Sequence, residues 1–435
     1  MRLAITILAA MSAPVFAAPL PSPRQAAAEI ADAIEQNYFD PSAAGHIADD
    51  LRTEATSGRY DGQSPAQLAT TISDRLVRFD RHFHVSWRPS ATTSGATQPA
   101  SRYGPEDQDR RSGYGFRQVS ILSGNIGYMA LDSFAPIDFA QPDWPARAAA
   151  DAALRLVDHT DGVIIDLRNN GGGDPSMVGY LASAFVGPDR DIYNVFRGRQ
   201  TTASERPATF YATPRLTVPL YILISGRTGS AAESFAYTLQ SAHRATIIGE
   251  TSAGAANPGD TVDLPGGYSL FVSTLTPINP ITHANWETIG VKPDHAVASV
   301  DALSTAHIVA LETAVPKVPV DERIDAERAL EAAKAENTPH FPVHIANYAG
   351  DYGSMKIVRT PDGLHAIRDH RPPVKLGWLD GDVFFPLTQT STRYRFEKDP
   401  SGRIGKLIIS FVDGTTSELD RADLHVGGAK RAGSN

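Results

Sequence analysis

Apolar runs alternate with amphipathic stretches through the middle of the chain. Short, mainly apolar segments predict buried strands, at 126–131, 162–167, 218–224 and 245–249. Helices are predicted over 145–157 and from about residues 175 and 230. This alternation is typical of a mainly parallel sheet that is covered by helices on both faces. In such sheets ligands bind beyond the carboxyl ends of strands, where two glycine-rich turns of this chain fall.

Different patterns flank this α/β region. Ala-rich stretches with helical spacing precede it, and short strands separated by D-G and P-D-G turns follow it. The predicted fold class is therefore α/β, with a helical N-terminal domain and a small C-terminal antiparallel β domain. The predicted divisions are a signal peptide over 1–17, a helical domain over 20–88, a linker over 89–113, an α/β core over 114–318, a helical connector over 319–342 and a β domain over 343–426.

The first residues have the pattern of a secretory signal. Arg2 precedes a short apolar run, and Val15 and Ala17 fit the small positions before a cleavage site. The run is too short to span a bilayer, which needs about 20 residues, and no later segment is long and apolar enough. We therefore expect a secreted or periplasmic protein without a membrane span; a buried N-terminal strand is the alternative.

Composition removes several classes of function. The chain of 435 residues has no cysteine and a formal charge of −9. A cysteine nucleophile, disulfides and thiolate metal ligands are excluded, and an acidic pI near 5.8 argues against nucleic-acid binding. The first lysine is Lys292, so the glycine-rich turns have no lysine with which to hold a phosphate.

The segment S-G-R-T-G-S-A-A-E at 225–233 places Ser230 at a strand-to-helix turn. A hydroxyl at a helix N-terminus is a suitable nucleophile, because the free N–H groups and the helix dipole stabilise an oxyanion. The same letters also form a capping box, with Ser230 as N-cap and Glu233 at N3. The sequence alone leaves both interpretations open.

Three more motifs carry candidate chemistry. The turn D-L-R-N-N-G-G-G at 166–173 offers backbone N–H groups that could complete an oxyanion hole with Ala231, or is a plain glycine turn. In D-R-H-F-H-V at 80–85, His82 is a candidate general base; a zinc site of His82 and His84 lacks a third clustered ligand. Glu287 could orient a histidine, or be a surface residue in a turn.

Taken in their order along the chain, the four motifs resemble peptidase family S41. Further matching pieces are G-N-I-G-Y at 124–128, E-T-x-x-G at 250–254 and G-V-x-P-D at 290–294. The resemblance implies a crotonase-like/ClpP-like core, with Ser230 as nucleophile. It also implies an oxyanion hole formed by Gly171, Gly172 and Ala231.

Members of the family differ in the general base that they use. Processing proteases of the family use a Ser–Lys dyad, but Ala255 stands where that lysine is expected. The tricorn-type branch uses a histidine and a glutamate, and His82 and Glu287 match them. The segment 89–113 is also too short for the PDZ domain that processing proteases carry.

The resulting prediction is an exported serine peptidase that acts on peptides or proteins without a metal or other cofactor. In it Ser230 forms the acyl-enzyme, His82 is the general base and Glu287 supports it; an esterase-like acyl hydrolase would use the same groups. The alternative is a non-catalytic protein that binds apolar ligands or peptides on the same scaffold.

Overall fold

The computed structural model describes residues 20–89, 105–338 and 340–422. The predicted signal peptide over 1–17 lies outside these residues, as does most of the predicted linker over 89–113. The last part of that linker is a helix, Pro105–Arg111, although a loop was expected. Acidic side chains in its first turn and arginines in its last turn complement the helix dipole, and this compensates for its lack of apolar residues.

Proline at the first helical position starts many of the helices, where its missing N–H costs nothing. The helices of the described residues are α1 (Pro23–Asn37), α2 (Pro41–Thr56), α3 (Pro65–Leu76), α4 (Pro105–Arg111), α5 (Pro145–Leu156), α6 (Pro175–Ala182), α7 (Ala231–Ser241), α8 (Ala302–Ala314) and α9 (Arg323–Asn337). Within the described ranges, no helix is long and apolar enough to cross a membrane.

The strands are short, and within the residues that the structure describes they form four sheets. The strands of the N-terminal part and the core are β1 (His84–Trp87), β2 (Phe116–Leu122), β3 (Ile126–Leu131), β4 (Gly162–Asp166), β5 (Val195–Arg197), β6 (Thr202–Ser204), β7 (Leu220–Ile224), β8 (Thr246–Gly249), β9 (Gly259–Leu264), β10 (Tyr268–Ser273), β11 (Thr276–Ile278) and β12 (His295–Ala296). The remaining strands are β13 (Gly350–Tyr352), β14 (Met355–Thr360), β15 (Gly363–Arg368), β16 (Val374–Asp380), β17 (Val383–Pro386), β18 (Arg393–Lys398), β19 (Ile404–Ser410) and β20 (Thr416–Asp420).

The chain divides into two compact units. The N-terminal unit contains residues 20–89 together with two later segments, 196–203 and 257–277. Helices α1 to α3 pack their apolar faces together, and β1, β10 and β9 form an antiparallel sheet that joins the same apolar cluster. Both later segments come from within the predicted α/β core, 114–318. The domain boundaries that the sequence suggested remain a prediction.

The main unit contains the α/β core and the C-terminal β domain. The core sheet has the strand order β12-β8-β7-β4-β3-β2, in which only the β2–β3 pair is antiparallel. The strands β4 and β7 are buried along their whole length, as their continuous apolar sequences predicted. One face packs against α5, α6 and α7, and the other packs against α8 and α9. The predicted α/β core is confirmed.

The C-terminal β domain is an antiparallel sheet in which every strand pairs with its neighbours in the sequence, from β13 to β20. A bridge between Tyr352 and Arg421 joins the first strand to the residue after the last one. The sheet is therefore nearly closed into a barrel, and its inner face holds an aromatic core that includes Tyr352, Phe384 and Phe396. The predicted antiparallel domain is confirmed.

Candidate active site

Ser230 occupies a strained position between strand β7 and helix α7. Its backbone has φ 53° and ψ −122°, a conformation that residues with a side chain rarely adopt. The N-cap serines of α1 and α3, Ser22 and Ser64, have ordinary extended backbones with φ −62° and −69°. A capping role alone therefore does not require the conformation of Ser230. Such strain is found preferentially at functional sites.

The serine turn is fastened to the glycine-rich turn after β4. The Oγ1 of Thr228 donates to the carbonyl of Leu167 (2.8 Å), and the N–H of Gly229 donates to the carbonyl of Asn170 (3.1 Å). Thr228 is completely buried, so these bonds are shielded from water. The two turns follow the carboxyl ends of adjacent parallel strands, and they form one structure at that edge of the sheet.

A buried ion pair anchors the start of the glycine-rich turn. Arg168 donates from Nε and Nη2 to the two carboxylate oxygens of Asp166 (2.9 and 2.6 Å), and Tyr128 donates its hydroxyl to the same carboxylate (2.8 Å). The hydrogen bonds from Arg168 to Asp166 raise the pKa of the guanidinium, and burial opposes them. Arg168 also donates to the carbonyl of Ser299 (2.6 Å), which connects the turn to the segment before α8. The D-L-R part of the motif is thus structural.

Gly172 lies directly against Ser230. A β-carbon on Gly172 would be 2.8 Å from the β-carbon of Ser230, and its φ of +123° suits only glycine. Its backbone N–H donates to Oδ1 of Asn170 (2.8 Å). This N–H, which the sequence suggested for the oxyanion hole, is therefore already engaged in the structure.

The N–H groups of Gly171 and Ala231 are in a different situation. No hydrogen bond from either N–H to another residue is present in the described part of the chain. Ala231 is the first residue of α7, where the backbone N–H groups have no partner inside the helix. Gly171 has open space around it, since nothing lies within 4 Å of a β-carbon placed there. Both groups could donate hydrogen bonds to a bound oxyanion.

Glu233 connects the nucleophile turn to the loop after β8. Its carboxylate is completely buried and accepts four hydrogen bonds. Oε2 accepts from the N–H groups of Ser230 (2.9 Å) and Ala255 (2.8 Å), and Oε1 accepts from Ser252 Oγ and the N–H of Gly254 (both 2.6 Å). The sequence predicted only the first of these bonds, as half of a capping box.

Glu287 is attached to the same loop. Its Oε2 accepts a hydrogen bond from the N–H of Ala256 (2.7 Å). Ala256 directly follows Ala255, whose N–H donates to Glu233. The turn behind it is unusual, because Thr288 is β-branched and has φ 68°. The N–H of Thr288 donates to the carbonyl of Gly254 (2.9 Å), which fixes this turn to the loop. Glu287 is thus connected to Ser230 through one loop and Glu233.

His82 belongs to the N-terminal unit, where Asp80 orients it. Nδ1 of His82 lies 2.9 Å from Oδ1 of Asp80, and the backbone N–H of His82 donates to the same oxygen (2.8 Å). Because a carboxylate accepts hydrogen bonds, this contact assigns the ring proton to Nδ1 and leaves Nε2 as the basic nitrogen. Burial would raise the pKa of Asp80, but the hydrogen bonds from His82 and Ser273 outweigh it, and the pKa is lowered.

The structure therefore brings together most of the residues that the sequence singled out. Ser230, Ala231, Gly171 and Gly172 meet at one edge of the core sheet, and Glu287 is attached to the adjoining loop in the same unit. Sequence reasoning had no role for Asp80, although its spacing of two residues from His82 was visible as D-x-H. It also could not show that Asn170 engages the N–H of Gly172, because that bond depends on the shape of the turn.

The site thus consists of a strained serine at a strand-to-helix turn that is packed against a glycine turn on a parallel sheet. Residues 125–297 match the family model "Peptidase family S41", and the chain carries a domain of this family. The predicted resemblance to S41 serine peptidases is thereby confirmed for these residues. The helices and His82 of the N-terminal unit precede the matched residues.

Curated relatives agree with this family. The chain is 30% identical over 175 residues to a carboxyl-terminal-processing protease of Synechocystis sp. The aligned region covers 40% of this chain and 38% of that protein. It is 29% identical over 177 residues to a carboxy-terminal-processing protease of Bartonella bacilliformis, which covers 40% of this chain and 39% of that protein. The chain thus spans well under half the length of these relatives.

A solved structure is similar at a lower level. The photosystem II D1 C-terminal processing protease has 19% sequence identity to this chain and a TM-score of 0.45. The similar region covers 64% of this chain and 94% of that one.

Proposed function

We propose that the chain is a serine peptidase that hydrolyses peptide bonds in peptides or proteins through an acyl-enzyme on Ser230. The observation that carries this proposal is the backbone of Ser230, which is strained in a way that the capping serines of the same chain are not. The strain is maintained by the bonds of Glu233 and by the contact with Gly172. The capping serines Ser22 and Ser64 have a comparable bond to their N3 side chains, but neither cap needs a contact like the one with Gly172.

In this mechanism Ser230 Oγ attacks the carbonyl carbon of the substrate while its proton passes to Nε2 of His82. The carbonyl oxygen becomes an oxyanion, which the N–H groups of Ala231 and Gly171 stabilise. The proton on His82 then passes to the leaving amine as the C–N bond breaks. Water, deprotonated by His82, attacks the ester and releases Ser230. General-base assistance of this kind typically contributes about 10²–10⁴-fold.

Two carboxylates have separate roles in the proposal. Asp80 holds the tautomer and orientation of His82, and it supports the imidazolium that forms when the proton is transferred. Glu287 is proposed to support the base from its position beside the loop of Ala255 and Ala256, where it accepts a hydrogen bond from the N–H of Ala256. A Ser–Lys mechanism is disfavoured, because Ala255 stands in the position expected for that lysine and donates its N–H to Glu233. Lys292, the first lysine, is exposed.

Covalent labelling tests the nucleophile directly. A fluorophosphonate probe is expected to label the wild-type chain, and the label is expected to be absent from Ser230→Ala. Ser64→Ala is the matched control, because Ser64 is also an N-cap serine but has an ordinary backbone, so labelling should be retained. A folded wild-type protein that is neither labelled nor able to cleave casein would overturn the proposal. Ligand-dependent stabilisation that persists in Ser230→Ala would then favour a binding protein.

We also propose that residues 1–17 direct export to the periplasm or the medium. The mature protein is then expected to begin at Ala18. N-terminal sequencing of the protein from the cell fraction where it accumulates provides the measurement. Recovery of an intact Met1 in a cytoplasmic fraction alone would contradict this proposal.

A further inference from the structure

The inner face of the C-terminal sheet ends in a charged residue. Along β15, Leu364 and Ala366 face the core of the domain and are buried. Because side chains alternate along a strand, Arg368 faces the same side. It is the last residue of β15, and it pairs with Met355 at the start of β14. A guanidinium therefore stands at the open end of an otherwise apolar and aromatic interior.

A cavity of about 120 Å³ lies at this end of the sheet. Its wall is apolar in part, with Met355, Val374, Ile409 and Phe411 among the lining residues. Arg368 and Arg371 supply the charge, and no acidic residue lines the cavity. The hydroxyl-bearing and amide side chains that line it are Thr388, Gln389, Thr392 and Tyr394. The cavity thus combines two cations, neutral hydrogen-bonding groups and an apolar wall.

Arg368 is partly buried, and it lacks the partners that a guanidinium in such a position normally has. Its Nε is buried without a hydrogen-bond partner, and neither Arg368 nor Arg371 forms an ion pair within the described residues. Arg393 of the same domain provides the contrast, because it donates to Glu331 (2.8 Å) and to three backbone carbonyls. A buried donor without a partner is costly, and this cost disappears when an anion binds.

Tyr394 lies within the electrostatic reach of Arg368. Burial raises the pKa of the Tyr394 hydroxyl, and the charge of Arg368 opposes this rise. The hydroxyl stays protonated at neutral pH, so it is available to donate a hydrogen bond to an anion that approaches the guanidinium. Arg368 and Tyr394 thus line the same cavity, where one offers a guanidinium and the other a hydroxyl as hydrogen-bond donor.

We propose that this cavity binds a carboxylate that carries a short apolar group, with Arg368 as the principal ligand and Tyr394 as a second donor. The planar fork of a guanidinium matches the two oxygens of a carboxylate. A cavity of about 150 Å³ is known to hold a benzene ring, so about 120 Å³ accommodates roughly four to six non-hydrogen atoms, and the last carbons of a longer acid such as hexanoate would lie outside it. Inorganic phosphate would leave the apolar wall unused.

Two sources present this chemistry: a free short-chain carboxylic acid and the C-terminal residue of a peptide. Both place a carboxylate next to a small apolar group. The C-terminus would reach the cavity from its open end, with the rest of the peptide outside. Either source satisfies the proposal, and the experiment separates them.

Calorimetric titration of the full chain with hexanoate at low salt tests the site. The experiment uses the Ser230→Ala background, so it does not depend on the proposed hydrolysis. Hexanoate is expected to bind, and Arg368→Gln is expected to weaken binding at least tenfold. Arg395→Gln is the matched control, because Arg395 is exposed on the opposite face of β18 beside Tyr394, and it should bind like the parent. Hexanol, which has no charge, should not bind.

A dipeptide with a free C-terminus and the same dipeptide with a C-terminal amide identify the source. If the free dipeptide binds more tightly than hexanoate and the amide does not bind, the source is a peptide C-terminus. If hexanoate binds and neither dipeptide does, the source is a free acid. No binding of any carboxylate, binding of phosphate as tight as that of hexanoate, or unchanged binding in Arg368→Gln would overturn the proposal.

Thermal unfolding separates a ligand-binding arginine from a structural one. Without ligand, Arg368→Gln is expected to unfold at the same temperature as the parent or higher, because it removes a buried donor without a partner. Hexanoate should raise the unfolding temperature of the parent and leave that of Arg368→Gln unchanged. A clear loss of stability in ligand-free Arg368→Gln would show that the arginine serves the fold, and would count against the proposal.

Discussion

Gly172 lies so close to Ser230 that a β-carbon on Gly172 would come within 2.8 Å of the β-carbon of Ser230. The same added carbon would lie 3.2 Å from the backbone nitrogen of Ala231. The position of the nucleophile turn thus depends on the absence of a side chain at residue 172.

Substitution Gly172→Ala should therefore displace the serine turn. We expect peptidase activity to fall by about 100-fold and stability to fall by about 1–3 kcal/mol, since the clash adds to the strain of a positive φ. The measurements are kcat/KM on a peptide substrate and urea unfolding. Gly226→Ala, in the neighbouring turn, has open space for its β-carbon and should behave like the wild type. Unchanged activity in Gly172→Ala would contradict the proposed site.

The backbone of Ser230 predicts an unusual order of stability among its variants. Glycine adopts φ 53° and ψ −122° without steric cost, whereas alanine does not. Ser230→Gly should therefore be more stable than Ser230→Ala by about 2 kcal/mol, while both are inactive. At Ser64, an N-cap with an extended backbone, glycine should exceed alanine only by the roughly 0.5–1 kcal/mol that separates the two residues at ordinary N-caps. Unfolding curves of the four variants decide the matter, and equal behaviour at the two positions would refute the assigned strain.

Asp80→Asn tests the orientation of the proposed base. An asparagine can present its amide group to Nδ1 of His82, which would favour the wrong tautomer. We expect kcat to fall by about 10²–10⁴-fold with little change in KM, because substrate contacts are not altered. The control Asp74→Asn changes an exposed carboxylate in α3 and should leave kcat intact. If kcat of Asp80→Asn equals that of the wild type, Asp80 serves only the fold.

Glu205 predicts a pH-dependent stability. It is buried among Asn194 and Ser234, which donate to its carboxylate (3.0 and 2.5 Å), and no Lys or Arg within the described residues forms an ion pair with it. Burial raises its pKa from the ordinary 4.5 to about 7, against the effect of these hydrogen bonds. Between these two values the folded chain holds a proton that the unfolded chain has released. The contribution of protonated Glu205 to the stability of the folded chain is therefore fully present below pH 4.5. It is lost as the pH rises to about 7.

The wild type should accordingly lose about 3 kcal/mol of stability relative to Glu205→Gln between these pH values. Urea unfolding of both proteins across this range measures the difference. Other titrating groups are shared by the two proteins and cancel. Glu312→Gln, an exposed partner of Lys334, should follow the wild type at every pH. Parallel stability curves for the wild type and Glu205→Gln would disprove the assignment.

Much of the core could be predicted because its signals are local. The strands Gly162–Asp166 and Leu220–Ile224 are almost entirely apolar and are followed by glycine-containing turns, so the positions of both turns were visible in the sequence. The helix Pro105–Arg111 was missed because it buries few apolar side chains and depends on charge at its ends.

The contacts that define the candidate site were less accessible. Glu233 accepts from a loop about twenty residues later, and Asn170 competes for the N–H of Gly172. Glu205 lies in the segment T-A-S-E-R-P, which has the composition of an exposed loop, yet its carboxylate is buried. Hydrogen bonds of this kind depend on how distant segments meet, and a residue pattern does not contain that information.

The neighbour-to-neighbour strand order of the C-terminal domain has a consequence for how the chain folds. Each pairing from β13 to β20 closes only a short loop, whereas the core sheet must bring together strands as distant as β4 and β7. Short loops cost less entropy to close, and topologies with local contacts fold faster. The β domain, although it is synthesised after the core, should therefore become ordered before the core sheet is complete.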